Sequence, residues 1–352
     1  MKIIIAGAYA IGTHLARLLS RSKEDITLID DSEERLASIG SDYDLLTMLG
    51  QPTSLKMLQN ADIQDADLFI AVTPLESKNI TSCILAKKLG AKRTVAKVDN
   101  PEYMDQQAQD FFRELGIDKL IYPEMLAAVD INNGLKMSWV RQRWDVHDGA
   151  LIMLGIKLRE TCEILNKPLK DISGPNDPYH VVAIKRGSDT IIPGGYDELK
   201  LYDLAYFMTT RNYIPYIRKI VGKEHYVDVK NVMVMGGGRT AVRAVKKMPE
   251  YMECKIIEKD ENRCEYLNDI LDDNHILIIH GDGRDIPLLT EEGIRSTQAF
   301  VALTGNAETN ILACLTAKRM GVRKTVAAVE NVDYVSMAES LDIGTIINKK
   351  MI

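Results

Sequence analysis

A glycine-rich turn in the second half of the chain has the residue types and spacing to bind phosphate groups. It follows the apolar run Val232–Met235, precedes a stretch with helical spacing, and reads Gly236-Gly237-Gly238-Arg239-Thr240-Ala241. In a G-x-G-x-x-A turn the first glycine makes a tight bend and the second lets a pyrophosphate approach the backbone. The small last residue allows close packing of helix on strand. The phosphates would then lie at the N-terminus of a helix, which favours anions.

An acidic residue follows at the end of the next predicted strand. Glu258 comes 22 residues after Gly236. A carboxylate at this place accepts hydrogen bonds from both ribose hydroxyls and repels a 2′-phosphate. The pattern therefore favours NAD(H), or an adenine nucleotide such as ATP or ADP, over NADP(H). The alternative is a packing turn without a ligand.

The beginning of the chain contains a related turn with one departure. It reads Gly7-Ala8-Tyr9-Ala10-Ile11-Gly12, and Asp30 follows 23 residues after Gly7. The outer glycines and the acid favour a nucleotide site, whereas Tyr9 at the middle position favours a degenerate, purely structural copy. Both interpretations stay open, and if this site binds, it is expected to bind less tightly than the second.

Other candidate ligand contacts follow from sheet geometry. In open parallel sheets, ligands lie beyond the carboxyl ends of the strands. The residues after the third, fourth and fifth predicted strands of each copy are therefore candidates, with ordinary loop residues as the alternative. They are Gly50, Thr73, Lys97 and Val98 in the first copy, and Gly281, Asp282, Thr304 and Val329 in the second.

The sequence offers no set of residues for catalysis or metal binding. It has no GxSxG, HExxH or Walker lysine motif, and its six histidines are dispersed. We therefore predict neither catalytic residues nor metal ligands. The charged residues 31–35 are interpreted as a solvated helix face, and Cys83 and Cys314 as equivalent buried helix positions.

These motifs lie within an order of predicted strands and helices that occurs twice in the chain. Short apolar runs alternate with helical stretches, which is typical of a parallel sheet covered on both faces. Residues 89–103 (LGAKRTVAKVDNPEY) align with residues 320–334 (MGVRKTVAAVENVDY), and seven of the fifteen residues are identical. The period is too long for a solenoid and indicates a duplicated domain.

We therefore predict an α/β chain with two tandem Rossmann-like doubly wound parallel-sheet domains separated by a small α+β domain. The boundaries are 1–140 for the first, including a crossover helix over 123–139, 141–220 for the small domain, and 221–352 for the second. In the small domain we expect strands at 150–158, 179–185, 190–192 and 205–209, turns at 174–178, 186–189 and 193–195, and little helix. The domain that would follow the second copy is expected to be absent.

The composition argues against several other classes of protein. The formal net charge is −6 and no long basic run occurs, which argues against a nucleic-acid surface. Five cysteines without a CxxC pair indicate reduced thiols in a reducing compartment. No stretch approaches the roughly 20 apolar residues that span a bilayer. Any membrane role is therefore expected to depend on a partner.

The chain resembles the regulator-of-potassium-conductance (RCK) family over nearly its whole length. KIIIAGAYAIGTHLA is similar to the family's opening strand, turn and helix, and ADLFIAVTPLESKNITSCILAKKLGAKRTVAKVDNPEY to the second half of its nucleotide domain. LNKPLKDI and PYHVVAIKRGSDTIIPGGYDELKLYDLAYF resemble its small ligand domain. The order of domains resembles that of the tandem Trk-type members.

The resemblance implies a regulatory subunit at the inner face of the cell membrane. Such a subunit assembles into a homo-oligomeric ring, a tetramer, and gates a membrane potassium transporter of the Trk type according to NAD(H) or ATP and ADP. The ring contacts are expected on the helix that carries Met125, Leu126, Val129, Leu135, Met137 and Trp139. The family's nucleotide residues map onto Gly7, Ala8, Tyr9, Ala10, Ile11, Asp30, Thr73 and Val98, and onto Gly236, Gly237, Gly238, Arg239, Thr240, Glu258, Thr304 and Val329. Tyr9 departs from the glycine usual in the family.

Two other functions remain as alternatives. An NAD-dependent dehydrogenase needs an acid or base facing the nicotinamide, and the middle domain offers only His180, Lys185 and Asp189 without a convincing cluster. A nucleotide sensor of this kind could also regulate a potassium channel. Because one fold serves many functions, the fold alone does not choose among them.

Overall fold

The computed structural model describes residues 1–22, 24–39, 43–174, 177–187, 189–331 and 333–349. Pro175, Asn176 and Ser188, which fall in two of the predicted turns, lie outside these ranges. The chain divides into two compact units, one comprising Met1–Leu126 with Lys349 and the other Ala127–Asn348. Within the described ranges, no helix combines the length and apolar character needed to cross a membrane.

The first unit is a six-stranded parallel sheet with helices in the connections. The strands are β1 Lys2–Ala6, β2 Asp25–Asp30, β3 Leu46–Leu49, β4 Leu68–Ala71, β5 Thr94–Lys97 and β6 Lys119–Ile121. The helices are α1 Ala10–Leu19, α2 Glu33–Ala37, α3 Leu55–Asn60, α4 Glu76–Lys88 and α5 Gln106–Glu114. The spatial order β3-β2-β1-β4-β5-β6 reverses direction between β1 and β4.

The short apolar runs become central strands because both faces of the sheet are covered. Ile3 and Ile5 belong to one buried cluster and Ile4 to another, so neighbouring residues of β1 serve opposite faces. Ser32, a residue type that commonly caps helices, begins α2: its hydroxyl accepts from the Arg35 N–H at 3.3 Å. Such caps satisfy N–H groups that have no partner within the helix.

The second unit begins with most of a long helix and an antiparallel sheet. Helix α6 spans Pro123–Lys136, and its residues from Ala127 onward belong to this unit. The sheet has the order β10-β9-β11-β8-β7. Its elements are β7 Gln142–Val146, β8 Leu151–Lys157, α7 Leu169–Ile172, β9 Tyr179–Arg186, β10 Asp189–Ile191, β11 Leu204–Thr209 and α8 Ile214–Ile220. The sequence missed β7 and α8, because β7 lacks a clear apolar alternation and α8 carries a proline in its first turn.

The same unit contains a second parallel sheet, in the order β14-β13-β12-β15-β16-β17. The strands are β12 Asn231–Met235, β13 Glu253–Glu258, β14 Ile276–His280, β15 Ala299–Ala302, β16 Lys324–Ala328 and β17 Thr345–Ile347. The helices are α9 Arg239–Val245, α10 Glu261–Ile270, α11 Ile286–Glu291, α12 Ala307–Arg319 and α13 Asp333–Ser340. The order is identical to that of the first sheet, which confirms the predicted duplication and fold class.

Helix α6 shares a buried apolar cluster with this second sheet. Ala127, Ala128, Ile131 and Leu135 lie in one cluster with residues of β12, α9 and β13. The Asn132 side-chain amide donates to the Ala244 carbonyl at 2.9 Å. Leu135, assigned from the sequence to a contact between subunits, is thus buried within its own chain. Met137 and Trp139 also differ from that expectation, because they pack in the core of the antiparallel sheet.

Candidate functional site

The second parallel sheet has a cleft of about 410 Å³ at the carboxyl ends of its strands. The cleft lies where the strand order reverses, between β12 and β15, which is the usual position of ligands in open α/β sheets. It is lined by Met235, Gly236, Gly238, Ile257, Glu258, Lys259, Gly281, Asp282, Gly283, Arg284, Leu303, Thr304, Gly305 and Thr309.

Two glycines of the turn after β12 have distinct geometric roles. Gly236 has φ +97°, and a Cβ there would lie 3.2 Å from the backbone of Leu303 and Thr304. A side chain would therefore strain the turn and push it away from the end of β15. A Cβ at Gly238, in contrast, would meet no described atom within 4 Å. This position is open, and a ligand phosphate has room to approach its backbone.

Glu258 closes the side of the cleft and is anchored by the backbone. Its Oε2 accepts from the Gly237 N–H at 2.6 Å, and its Oε1 accepts from the N–H groups of Lys259 and Asp260 at 2.7 and 3.0 Å. The side chain is only partly buried. Because a carboxylate has about four acceptor sites, the anchored Glu258 retains capacity to accept from a ribose hydroxyl.

The rim of the cleft beside Glu258, at the end of β14, carries an ion pair. Asp282 accepts from the Arg284 guanidinium at 2.6 and 2.9 Å, and the Lys259 ammonium lies 4.0 Å away. The hydrogen bond from Arg284 is the main cause that lowers the pKa of Asp282 to about 2. At neutral pH this carboxylate is therefore ionised and occupied by Arg284. Sequence reasoning named Asp282 and missed Arg284, although two residues of opposite charge at i and i+2 were a visible signal.

A buried asparagine fixes the end of β15. The Asn310 Oδ1 accepts from the Thr304 N–H at 3.0 Å and from its hydroxyl at 2.6 Å, and the Nδ2 donates to the carbonyls of Thr304 and Ala328. In the first sheet, Asn79 binds Thr73 and the Lys97 carbonyl in the same way. These asparagines tie β4 to β5 and β15 to β16. The recurrence of Asn79 and Asn310 at the repeat spacing was the signal for this role.

The first sheet has a smaller cleft at the equivalent place. Its volume is about 270 Å³, and it is lined by Gly7, Tyr9, Ile29, Asp30, Asp31, Pro52, Thr73, Pro74, Leu75 and Lys78. Gly7 has φ +110° and lies against Thr73, as Gly236 lies against Thr304. A Cβ at Gly12 would come within 1.8 Å of the Gly7 carbonyl oxygen, so this position requires glycine for helix-on-strand packing.

Asp30 in the first cleft is neutralised by an arginine of the chain itself. The carboxylate is almost fully buried; Oδ2 accepts from the Ala8 N–H at 2.6 Å, and Oδ1 accepts from Arg35 Nε at 2.9 Å. The same guanidinium pairs with Asp31 and lies 4.2 Å from the centre of the Tyr9 ring. Asp31, Glu33 and Glu34 are exposed, as expected for a solvated face, but Asp31 also lines the cleft and Arg35 is paired with Asp30 and Asp31. The Asp30 carboxylate, which would accept from a ribose in a nucleotide site, is thus already paired with Arg35.

The structure divides the predicted site residues into two groups. Those that line a cleft are Gly7, Tyr9, Asp30, Thr73, Gly236, Gly238, Glu258, Gly281, Asp282 and Thr304. Those that line neither are Ala8, Ala10, Ile11, Gly12, Gly50, Lys97, Val98, Gly237, Arg239, Thr240 and Val329. Val98 and Val329 lie fully buried in the cores under the strands, so their side chains face away from both clefts. Cys83 and Cys314 are both fully buried on α4 and α12, as expected from the repeat.

The chain also matches a known family. A family model described as the TrkA-N domain matches residues 3–123 and again residues 232–349. The chain belongs to the TrkA-N family. Each match covers one parallel sheet with its cleft, so the duplication inferred from the sequence is a duplication of the TrkA-N domain. Because the TrkA and RCK proteins are a regulatory family, the prediction that the chain is not an enzyme is confirmed.

Relatives align along almost the whole chain. A Trk system potassium uptake protein TrkA from Haemophilus influenzae is 30% identical over 345 residues, covering 96% of this chain and 74% of that protein. A TrkA homolog from Archaeoglobus fulgidus is 29% identical over 353 residues, covering 100% of this chain and 79% of the homolog.

Two solved structures share the fold of this TrkA-N chain. The RCK domain of GsuK has a TM-score of 0.69 at 15% identity, covering 99% of this chain and 74% of that one. The GsuK channel bound to NAD has a TM-score of 0.71 at 14% identity, covering 99% of this chain and 61% of that one. At this level of identity the likeness establishes the architecture alone.

Proposed function

We propose that this chain is a cytosolic regulatory subunit that binds a membrane potassium transporter of the Trk type and gates it in response to NAD(H) or to ATP and ADP. Its parts are the nucleotide domains of residues 1–140 and 221–352 and a small ligand-type domain of residues 141–220. The subunit would act as a homo-oligomer, a tetramer, held at the inner face of the cell membrane by its partner. The TrkA relatives support the transporter as partner, because they are named as Trk potassium uptake proteins.

The observation that carries the nucleotide proposal is the open second cleft. Gly238 leaves the backbone accessible, and the partly buried Glu258 stands across from it with acceptor capacity for a ribose. We propose that Gly236, Gly238, Glu258 and Thr304 contact the nucleotide. Asp282 would stay paired with Arg284 at the rim.

The direct test is isothermal titration with NAD+, NADH, ATP and ADP. We expect Glu258→Ala to weaken binding by about 1–3 kcal/mol, because hydrogen bonds to a charged group are lost. Glu253→Ala is the matched control, since Glu253 is an exposed glutamate at the start of the same strand. Equal losses in the two variants, or none in Glu258→Ala, would remove Glu258 from the site.

The same titration tests the choice of cofactor. Glu258 would repel a 2′-phosphate, and Lys259 beside it is a poor substitute for an arginine dedicated to that group. We therefore expect NADH to bind more tightly than NADPH. Tighter binding of NADPH would refute the assignment of Glu258 to the ribose. Gating is tested separately, by potassium uptake into vesicles that hold the transporter, with and without this subunit and the nucleotide that binds.

A further inference from the structure

A second cavity in the unit of residues 127–348 has a strongly positive lining. It has a volume of about 120 Å³ and lies between residues 138–141 before β7, the end of β8, the segment after α8, and the α12–β17 part of the second parallel-sheet domain. Seven of its lining side chains are cationic and one is a carboxylate, Asp342. The cations are Arg141, Lys157, Arg159, Lys223, Lys318, Arg323 and Lys324. In a chain with a formal net charge of −6, this concentration of positive charge does not reflect the overall composition.

The single carboxylate is already shared by three cations. Asp342 accepts from Arg141, from Arg159 at 2.8 Å and from Lys318 at 3.0 Å. Against the opposing effect of burial, Arg141, Lys318 and Arg159 lower the pKa of Asp342 to about 2. Asp342 is therefore ionised at neutral pH, and one negative charge offsets only one of its three partners.

The other four cations have no carboxylate partner among the described residues. Lys324 is 2% exposed, and within the described part of the chain its ammonium donates to the Val140 carbonyl at 2.7 Å and the Thr345 hydroxyl at 2.9 Å. Lys223 is 3% exposed and donates to the Tyr226 hydroxyl at 3.1 Å.

The pKa values of two cavity lysines show that their charged forms are disfavoured there. Burial and the charges of Arg141 and Arg159 lower the pKa of Lys157. Burial and Arg141 lower the pKa of Lys324 to about 7. The ammonium groups of Lys223 and Lys324 are buried without a carboxylate partner among the residues that the structure describes, and an anion placed among the cavity cations would stabilise them.

The geometry points to the chemistry of that anion. A phosphate group carries close to two negative charges and three acceptor oxygens, and arginine binds it through two parallel hydrogen bonds. A space of about 120 Å³ is several times the roughly 30 Å³ of a water molecule. It is too small for even one turn of a peptide helix, which is roughly 10 Å across and about 5.4 Å long.

We propose that this cavity binds a small phosphate-bearing anion that is free in solution. Its lining is separate from that of either nucleotide cleft, so the proposal does not depend on nucleotide binding there. Arg141, Lys157 and Arg159 come from the side of the antiparallel sheet, whereas Lys318, Arg323 and Lys324 come from the parallel sheet. An anion held between them would tighten the packing of the small domain on the second nucleotide domain.

Inorganic pyrophosphate is a suitable probe, titrated calorimetrically into the intact chain. Lys157→Gln and Arg323→Gln remove cations that have no carboxylate partner, and each is expected to weaken binding about 10-fold, the effect of one charge-assisted hydrogen bond. The matched controls are Lys219→Gln and Arg319→Gln, exposed cations on α8 and α12 that do not line the cavity. They are expected to bind pyrophosphate like the parent chain.

Two further measurements make the outcome decisive. Saturating NAD+ is added in a parallel titration, because pyrophosphate bound in a nucleotide cleft would be displaced while pyrophosphate in the cationic cavity would remain. Vesicles of phosphatidylcholine, with and without phosphatidic acid, test whether the phosphate belongs to a lipid instead. No binding of pyrophosphate, equal binding by the cavity variants and the controls, or binding to phosphatidic acid vesicles alone would each overturn the proposal. Thermal unfolding of every variant confirms that the chain is folded.

Discussion

The two nucleotide-type clefts have the same backbone plan and differ in what occupies them. Gly7 and Gly236 make the same left-handed turn, and the Asn79 and Asn310 networks fix the same strand ends. In the second cleft, an arginine also follows the acid by five positions. This residue, Arg263, donates to the Gly237 carbonyl at 2.9 Å instead of binding the Glu258 carboxylate. In the first cleft the equivalent Arg35 pairs with Asp30 and lies on the Tyr9 ring.

The comparison shows how one backbone plan can hold its acid in two different environments. The Arg35 guanidinium stacks on the Tyr9 ring. It also pairs with Asp30 and so provides a counter-charge for this buried carboxylate. A cation stacked on an aromatic face and paired with a carboxylate satisfies both groups internally. The acid is therefore buried and paired with a cation in the first copy, whereas in the second copy it is only partly buried.

The largest expected effect comes from placing the first copy's tyrosine into the second. Gly238→Tyr should weaken nucleotide binding in the second cleft by about 2–5 kcal/mol, because the ring displaces the phosphates from one or two backbone N–H groups. Gly238→Ala is the control, since a Cβ alone meets no neighbour there. Titration that finds Gly238→Tyr as tight as the parent chain would show that the middle position does not distinguish the clefts.

The asparagine networks test what the copies have in common. Asn79→Ala and Asn310→Ala each leave buried donors and acceptors of a threonine without partners, so each should lower the free energy of unfolding by about 2–4 kcal/mol. Denaturant unfolding measures the two losses. The copies should behave alike here; a large loss in one and none in the other would contradict a shared scaffold.

The two copies also differ at the residue just before Thr94 of β5 and Thr325 of β16. It is the exposed Arg93 in the first and the buried Lys324 in the second, whose pKa is lowered to about 7 by burial and by Arg141. Between about pH 7 and pH 9, Lys324 is protonated to a greater extent in the unfolded chain than in the folded chain. The free energy of unfolding should therefore rise over this range by on the order of 2 kcal/mol. Lys324→Met should flatten this rise.

The matched variant for this pH test is Arg93→Met, which should retain the rise of the parent chain. The cavity also holds Arg141, Lys157, Arg159, Lys223, Lys318, Arg323 and Asp342. Of these, Lys157 also has a lowered pKa, so a small residual slope is expected in Lys324→Met. The free energy of unfolding is measured against pH for Lys324→Met and for the parent chain. If the two slopes are the same, Lys324 does not titrate in this range.

The smallest expected effect is on nucleotide binding in the first cleft. Tyr9→Gly removes the ring beneath Arg35 and should strengthen nucleotide binding in the first copy by about 1 kcal/mol, roughly the worth of the cation–π contact that helps to hold Arg35 on Asp30. Stoichiometry by titration should move from one ligand per chain towards two. Two equivalent ligands in the parent chain, with no gain in Tyr9→Gly, would rule out the asymmetry.

Much of the architecture could be predicted because its causes are local. The strands of the repeat are short apolar runs flanked by turns, and the alternation of these runs with helical stretches was enough to predict two parallel sheets. Local signals failed at β7 and α8, where partly exposed strand residues and a proline obscured the pattern. They also failed at Val98 and Val329, because a residue just beyond a strand can face either the cleft or the core, and sequence spacing does not distinguish these.

The amino-acid order alone established the duplicated TrkA-N domain, the two glycine turns and the acids that follow them, because these depend on spacing along one segment. The pairing of Arg35 with Asp30, the burial of α6 on the second sheet and the cationic cavity emerged only from packing. Arg141 and Asp342 are far apart in the chain, and their contact depends on how the antiparallel sheet packs against β16 and β17. Side-chain partners over such separations are set by the shape and charge of the assembled core, which no local periodicity encodes.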